Sequence, residues 1–370
     1  MKRILVFGIT ENPGGVESVI MNYYRKIDRT KIQFDFLCNT KVVAYEDEIV
    51  SLGGKIYRIA QRKENAKQFY NDLDNLFKNN KFDAIWVNVC SLANIEYLKY
   101  AKKYGIKTRI IHSHNSANMD SKLRAVLHTL NRFRVGKLAT HYWSCGDLAS
   151  KWFYNKKIIQ SDKHKIINNA IDIDKFKFDE KIRNEYRKNL NLENKFIIGH
   201  VGRFHFQKNQ LFLIDVFNEI YKQRKDVVLV LIGQGEDEDK IKAKVKELNL
   251  EEVVKFLGVK NDVNNYYQIM DMFLFPSVFE GFGIVAIESQ VAGVPTLCST
   301  NVPLDTKLTE LASYHDLKDM KDWVDSAVNI IDNYDKKIKN RAEVSKTLIN
   351  SDYDINRQVE EFEKLILEEK

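Results

Sequence analysis

Short apolar runs alternate with helical periodicity along the whole chain. In the first half, residues 4–7, 34–37, 56–59, 84–89, 109–112 and 141–144 form brief, mostly apolar runs that read as strands. Between them apolar side chains recur three and four apart. The clearest case is 121–137, where Leu123, Val126, Leu127, Leu130 and Phe133 share one helical face. That face is expected to pack on a sheet, leaving Lys122, Arg124, Arg132, Arg134 and Lys137 near the surface. The second half repeats the pattern, with strands expected at 196–201, 227–232, 254–257, 272–275 and 296–298 and helices at 210–224, 237–248 and 283–292. Alternation of this kind predicts parallel sheets covered by helices on both faces.

The polar stretch 168–194 divides the two halves. The fold expected is therefore α/β, with two Rossmann-like doubly wound domains, 1–168 and 169–352, facing each other across a cleft. A last segment, 353–370, carries Val359, Phe362, Leu365 and Ile366 at helical spacing. It needs an apolar surface and is expected to pack back towards the first domain.

Composition narrows the class. The 370 residues are too many for one comfortable core, and 44% hydrophobic with 29% charged residues is ordinary for a globular protein. Met1-Lys2-Arg3 precedes only a short apolar run, which reads as a buried first strand rather than a signal peptide. No stretch approaches the roughly 18 apolar residues of a spanning helix. Cys38, Cys90, Cys145 and Cys298 are scattered, which predicts buried thiols in a reducing, cytoplasmic setting, with no disulfide framework and no zinc site.

Charge is unevenly spread. Residues 1–170 hold 29 Lys and Arg against 15 Asp and Glu, and the remainder holds 29 against 36. The first half is thus suited to an anionic partner: nucleic acid, an anionic membrane surface or a phosphorylated substrate. Nucleic acid is the poorest fit, because the basic residues are not interleaved with aromatic ones as in a stacking platform.

Candidate chemistry falls at strand-to-helix turns, where open parallel sheets bind ligands. The strongest segment is 275–288, in which Glu280, Gly281, Phe282, Gly283 and Ile284 precede a helix that carries Glu288. Backbone amides there can hold an anion, and carboxylates suit the paired hydroxyls of a ribose or sugar. The segment 199–209 places Arg203 and Lys208 around a short loop after Gly202, enough positive charge to meet a departing diphosphate. Gly233 belongs to a Gly-x-Gly turn that is also compatible with mere tight packing. Gly14 and Gly15 follow the first strand without the spacing of a dinucleotide fingerprint or a Walker loop. His112 and His114 close the strand at 109–112. His114 is the better candidate to donate to a sugar hydroxyl or to the reacting centre. The Asp-x-Asp pairs at Asp72/Asp74, Asp172/Asp174, Asp237/Asp239 and Asp352/Asp354 read as surface acids rather than a magnesium site.

Together these elements resemble the family-4 retaining glycosyltransferases of GT-B fold, in the bacterial capsular and exopolysaccharide group. The resemblance rests on six loose motifs in the right order over nearly the whole chain. It implies that Arg203 and Lys208 hold the donor diphosphate, that Glu280 binds donor-sugar hydroxyls beside the Gly281–Ile284 amides, and that Glu288 binds the ribose. It further implies that Gly14 and Gly15 approach the diphosphate and His114 the sugar, with Gly202 and Gly233 on the donor side. The first domain would then take the acceptor and the second the nucleotide-sugar. Two departures stand out: Asn168-Asn169-Ala170 replaces the Pro-Asn-Gly common at the join, and 296–304 lacks a Gly-Gly. The expected reaction is transfer of a hexosyl or N-acetylhexosaminyl group from a nucleotide-sugar, UDP-sugar favoured, to a glycan or polyprenyl-diphosphate-linked oligosaccharide, without metal or cofactor. The expected setting is the cytoplasm, with peripheral contact on the inner face of an anionic membrane. A nucleotide-sugar epimerase or hydrolase of similar fold is one alternative. A non-catalytic nucleotide-sugar-binding protein is another.

Overall fold

A computed structural model describes residues 1–117, 121–334 and 341–368. The chain divides into two units, Met1–Ile171 with Asp352–Lys370, and Asp172–Ser351. The boundaries expected at 168/169 and 352/353 lie within a few residues of these divisions, and the last two positions of the segment 353–370 lie outside the described residues.

The first unit is built on strands β1 (Lys2–Phe7), β2 (Ile32–Cys38), β3 (Ile56–Arg58), β4 (Ala84–Val89), β5 (Thr108–Ser113), β6 (His141–Ser144) and β7 (His164–Ile166), in the spatial order β3-β2-β1-β4-β5-β6-β7. Every pairing is parallel. Ile4, Leu5 and Val6 are fully buried, because helices cover both faces of the sheet and polar alternation has no place on its central strands. The chain moves outward from β1 to β3 and then returns to β4 on the other side of β1. Loops after β1 and β4 therefore diverge and leave a crevice at the carboxyl ends of the strands.

The second unit repeats this winding with β8 (Phe196–Val201), β9 (Val227–Ile232), β10 (Val254–Gly258), β11 (Met272–Phe275), β12 (Thr296–Ser299) and β13 (Ala312–His315), in the order β10-β9-β8-β11-β12-β13. All pairings are again parallel. Its direction reverses between β8 and β11.

Two strands escape the apolar pattern. β7 reads His-Lys-Ile and β13 reads Ala-Ser-Tyr-His. Each lies at a sheet edge with one neighbour, so neither needs the continuous apolar run of a central strand.

After the second unit the chain returns to the first. Ile171 N donates to Tyr353 O at 2.9 Å, and Ile355 N donates to Ile171 O at 3.0 Å. The last helix, Ile355–Glu368, then buries Phe362 against Trp86, Tyr23, Trp143 and Phe34, with ring centroids 5.0 to 6.0 Å apart. Removing such a ring typically costs about 3–5 kcal/mol, so the returning helix is an integral part of the first unit's core.

One expectation is overturned. In the helix Lys122–Arg134 the buried residues are His128 and Asn131, whereas Leu123, Val126, Leu130 and Phe133 are at least half exposed. The inward face is fixed by polar bonds: Leu92 N donates to His128 Nδ1 at 3.1 Å, and Asn131 Nδ2 donates to Leu92 O at 2.7 Å. Periodicity identified the apolar stripe correctly, but the stripe faces away from the sheet.

Candidate active site

In the second unit the site grows from the reversal between β8 and β11. The loop after β8 runs through Gly202, Arg203 and Lys208, and the loop after β11 runs from Pro276 to Gly283. Val278 N donates to Gln207 O at 2.8 Å, and the Gln207 side chain donates through Nε2 to Phe279 O at 2.9 Å, so one backbone bond and one side-chain bond stitch the two loops together. This brings Lys208 Nζ to 2.6 Å from Glu280 Oε1. Both are largely shielded, with side chains 18% and 7% exposed. Lys208 also lies 5.0 Å from the centroid of the Phe275 ring. A cation and a carboxylate held at the switch point can meet an anionic group and a hydroxyl on one ligand.

Arg203 lies elsewhere on the same loop. Its guanidinium is 66% exposed and donates to Glu236 Oε2 at 2.9 Å, and His205 Nε2 lies 3.2 Å from Glu236 Oε1. The loop's path is set from beneath by His200, which is fully buried at the end of β8. Gln210 Nε2 donates both to His200 Nε2 at 3.2 Å and to Arg203 O at 2.9 Å. His200 Nδ1 must then donate to Leu274 O at 2.9 Å. That is the neutral tautomer, in keeping with a pKa that burial pushes down to about 4.

The Gly-x-Gly turn has a packing explanation. A Cβ on Gly233, whose φ is +136°, would lie 2.0 Å from Gly202 O, and one on Gly235 would lie 2.2 Å from Phe204 O. The loops after β8 and β9 touch backbone to backbone, through Gly202 N to Ile232 O at 3.0 Å and Phe204 N to Gln234 O at 3.0 Å. Gly233 thus supports the Gly202 loop whether or not it also meets a ligand.

The helix Ile284–Val291 begins at Gly283, whose φ of +95° suits only glycine comfortably, and no side chain caps it. Its first turn therefore presents amides where an anion can bind. The Phe282 and Ile284 side chains are buried, so their contribution to a ligand is through backbone. The far end of the helix is fixed by Arg341, which donates to Ala292 O from Nε at 3.1 Å and from Nη2 at 2.9 Å. Glu288 is buried rather than surface-exposed. Burial pushes its pKa up to about 7, against the lowering effects of a 2.9 Å bond from Tyr267 Oη and of the Lys175 charge.

The first unit, taken by itself, holds its own group of candidate residues at the carboxyl ends of β1, β4 and β5. Gly14 caps the helix Gly15–Lys26. The Glu17 carboxylate folds back over this turn, accepting from Thr10 Oγ1 at 2.5 Å and Thr10 N at 3.2 Å. A Cβ on Gly14 would lie 2.7 Å from Glu17 Oε2, whereas one on Gly15 would meet nothing within 4 Å. Burial raises the Glu17 pKa, with the Thr10 bond opposing it.

His114 is buried and lies 2.9 Å through Nε2 from Asn88 Oδ1. Asn88 Nδ2 donates to Phe7 O at 3.2 Å, which assigns Oδ1 as the acceptor and makes His114 Nε2 the donor. His114 Nδ1 then carries the lone pair, and it has no hydrogen-bond partner. Burial pushes the pKa down to about 3. In this tautomer the nitrogen left without a partner, Nδ1, is a buried acceptor, whereas the sequence reading took His114 as a donor. His112 is wholly enclosed by Trp86, Trp143 and His114.

Gln207, Gln210, His200, Asn88, Glu17 and Tyr267 were not among the residues singled out from the sequence. Glu17 had a signal, since it closes the Gly14-Gly15-Val16-Glu17 turn. Gln207, His200, Asn88 and Tyr267 act through partners far along the chain, and Gln210 through the nearby His200 and Arg203.

The family model for glycosyl transferases group 1 matches residues 182–308, a span that contains the loops after β8, β9 and β11. EpsF of Bacillus subtilis, a protein named as a glycosyltransferase, is 30% identical over 308 residues, covering 81% of this chain and 80% of EpsF. The chain belongs to the group 1 glycosyl transferases. A second relative, the capsular polysaccharide biosynthesis glycosyltransferase CapH of Staphylococcus aureus, is 26% identical over 288 residues, covering 75% of this chain and 76% of CapH. Among solved structures, Anabaena HepE in complex with UDP and glucose superposes with a TM-score of 0.81 at 17% identity, covering 100% of both chains. That likeness concerns the fold, which is the GT-B class of two Rossmann-like domains. Among the described residues of this glycosyltransferase, no group of three or more His, Cys, Asp or Glu could hold a metal ion, and no helix is long and apolar enough to cross a membrane.

Proposed function

We propose that this glycosyltransferase transfers a hexosyl or N-acetylhexosaminyl group from a UDP-sugar to a glycan or polyprenyl-diphosphate-linked oligosaccharide in bacterial surface polysaccharide synthesis, with retention of anomeric configuration. The observation that carries this reading is the Lys208–Glu280 pair at the switch point of the second unit, with the uncapped helix and buried Glu288 following it. Support for the nucleotide comes from HepE, whose crystals hold UDP and glucose, and support for the pathway class from the name of CapH.

Each residue then has a chemical task. Lys208 and Arg203 offset charge on the diphosphate as the bond from the anomeric carbon to the phosphate oxygen breaks and its electron pair leaves with the nucleotide. Glu280 accepts hydroxyls of the transferred sugar, the first amides of the helix Ile284–Val291 approach the sugar and phosphate, and Glu288 accepts the ribose hydroxyls. His114 accepts a sugar hydroxyl at Nδ1, and Gly14 and Gly15 lie against the diphosphate. The acceptor oxygen attacks the anomeric carbon from the face the nucleotide leaves, and its proton passes to the departing phosphate oxygen. No metal takes part, because the two cations supply the charge.

The test is to incubate purified protein with a panel of UDP-, GDP- and ADP-sugars and follow slow donor hydrolysis and binding. The anomeric configuration of the product is then read by NMR. Hydrolysis confined to UDP-sugars and an axial product from an axial donor are expected. Epimerised sugar without an acceptor, or inverted product, would overturn the proposal.

A further inference from the structure

The helix Lys122–Arg134 is inside out for a globular protein. Its inward face is polar: His128 accepts from Leu92 N, lies 3.1 Å through Nε2 from Trp152 O and stacks on the Trp152 ring, while Arg132 Nη2 donates to Lys151 O and Tyr154 O at 3.0 and 2.8 Å. Its outward face is apolar. Leu123, Val126, Leu130 and Phe133 are 69%, 56%, 50% and 74% exposed. Their spacing places them on one stripe, with Lys122 and Arg134 along its two borders. Lys137 follows the helix, and Lys151, Lys156 and Lys157 are exposed on the two short helices that come next. From 121 to 157 the chain holds eight Lys and Arg and a single acidic residue, Asp147.

Four large apolar side chains in water are costly to leave uncovered, and the surrounding charge says what covers them. A second copy of the same face would bring like charges together. Nucleic acid would meet the cations but not the apolar stripe. An anionic bilayer satisfies both, because a helix lying in the interface buries its apolar side at the acyl boundary while basic side chains meet lipid phosphates. We infer that this face docks the chain on an anionic membrane surface, with Leu123, Val126, Leu130 and Phe133 entering the interface and Lys122, Arg134 and Lys137 contacting the headgroups. The inference rests on the first unit and is independent of the chemistry proposed for the donor.

The experiment is flotation of the full chain with vesicles of phosphatidylcholine alone or mixed with phosphatidylglycerol, across a salt series. Three double variants are compared with wild type: Leu130→Ser with Phe133→Ser, Lys122→Glu with Arg134→Glu, and a charge-matched control on other elements, Lys78→Glu with Lys81→Glu. Wild type should favour the anionic vesicles, increasingly at low salt. Each of the first two variants should lose at least about tenfold in retention, and the control should lose far less. Melting temperature and UDP binding should stay at wild-type levels in all three, since the altered side chains lie on the surface. Equal, weak retention of wild type on both vesicle types would overturn the inference. So would a control that loses as much as the Lys122 and Arg134 variant, or a Leu130 and Phe133 variant that only dissociates a dimer. Failure of wild type to bind UDP would count against the transferase reading and leave the docking result unaffected.

Discussion

Lys208 and Glu280 lie 72 residues apart in sequence and meet at 2.6 Å between the loops after β8 and β11. The pair couples catalysis to stability. On the proposed mechanism Lys208→Ala removes a charge that offsets the leaving diphosphate, and it also leaves a shielded carboxylate without its cation. Turnover should fall about 100-fold, an effect on the order of 3 kcal/mol in the transition state. Stability should fall by roughly 2 kcal/mol, the cost of a buried carboxylate that loses its charged partner while keeping a bond from Gln207. Urea unfolding of Lys208→Ala, Glu280→Ala and the double variant checks this. The double variant should be more stable than the sum of the single losses requires. Strict additivity would separate the two residues.

Arg203 gives the contrasting case. Its ion pair with Glu236 is exposed, and exposed pairs contribute little. Arg203→Ala should therefore melt within about 1 °C of wild type, given an effect of a few tenths of a kcal/mol, while turnover falls heavily. A large drop in melting temperature would mean that Arg203 is structural.

The buried neutral histidines predict acid sensitivity. Burial depresses the folded-state pKa of His114 to about 3 and of His200 to about 4. The unfolded chain protonates near 6.5, so it binds more protons than the folded chain between those values. Their contribution to stability is fully present above about pH 6.5. It is lost as pH falls towards 4 for His200 and towards 3 for His114. Urea midpoints should decline steadily from pH 7 to pH 5, and His200→Gln should decline less steeply. A midpoint that does not change across that window would show that the folded protein accommodates the imidazolium.

What was legible in the sequence depended on range. Strands such as Ala84–Val89 and Val227–Ile232 announce themselves because both faces are buried. β7 and β13 do not, because an edge strand tolerates His, Lys, Ser and Tyr. The helix Lys122–Arg134 shows a subtler limit. Spacing fixes which residues share a face, but the side turned inward was decided by His128 and Asn131 reaching the backbone of Leu92. In the candidate site, the order of Arg203, Lys208, Glu280 and Glu288 could be read, whereas their pairings could not. Nothing local tells that Lys208 faces Glu280 while Arg203 faces Glu236, or that Tyr267 covers Glu288. The lone pair on His114 Nδ1 depends on Asn88, 26 residues earlier.

Charge balance predicts metal independence. Arg203 and Lys208 are both on the loop after β8, and each can neutralise diphosphate oxygen. Turnover with a UDP-sugar should be unchanged after exhaustive EDTA treatment. Addition of magnesium should not rescue Lys208→Ala. A chemical step that stops in EDTA and restarts with magnesium or manganese would refute the assignment of both cations.

Glu288 predicts how nucleotide binding depends on pH. Its pKa, pushed up to about 7 by burial, means that at neutral pH the carboxyl is poised between its two forms. Only the carboxylate offers both oxygens as acceptors to the paired ribose hydroxyls, and Tyr267 already donates to one of them. UDP affinity should therefore rise as pH increases from about 6 to 8 and level off above, the sense expected when the deprotonated form binds. Glu288→Gln should bind UDP more weakly at high pH, with the dependence on pH flattened, because its amide neither titrates nor presents two acceptors. Glu280→Gln should keep the pH profile of UDP binding and lose turnover instead, since its proposed partner is the transferred sugar. Calorimetric titration of UDP into the three proteins across this range separates the roles. An unchanged pH profile in Glu288→Gln would remove the ribose assignment, and a collapse of UDP binding in Glu280→Gln would move that residue to the nucleotide.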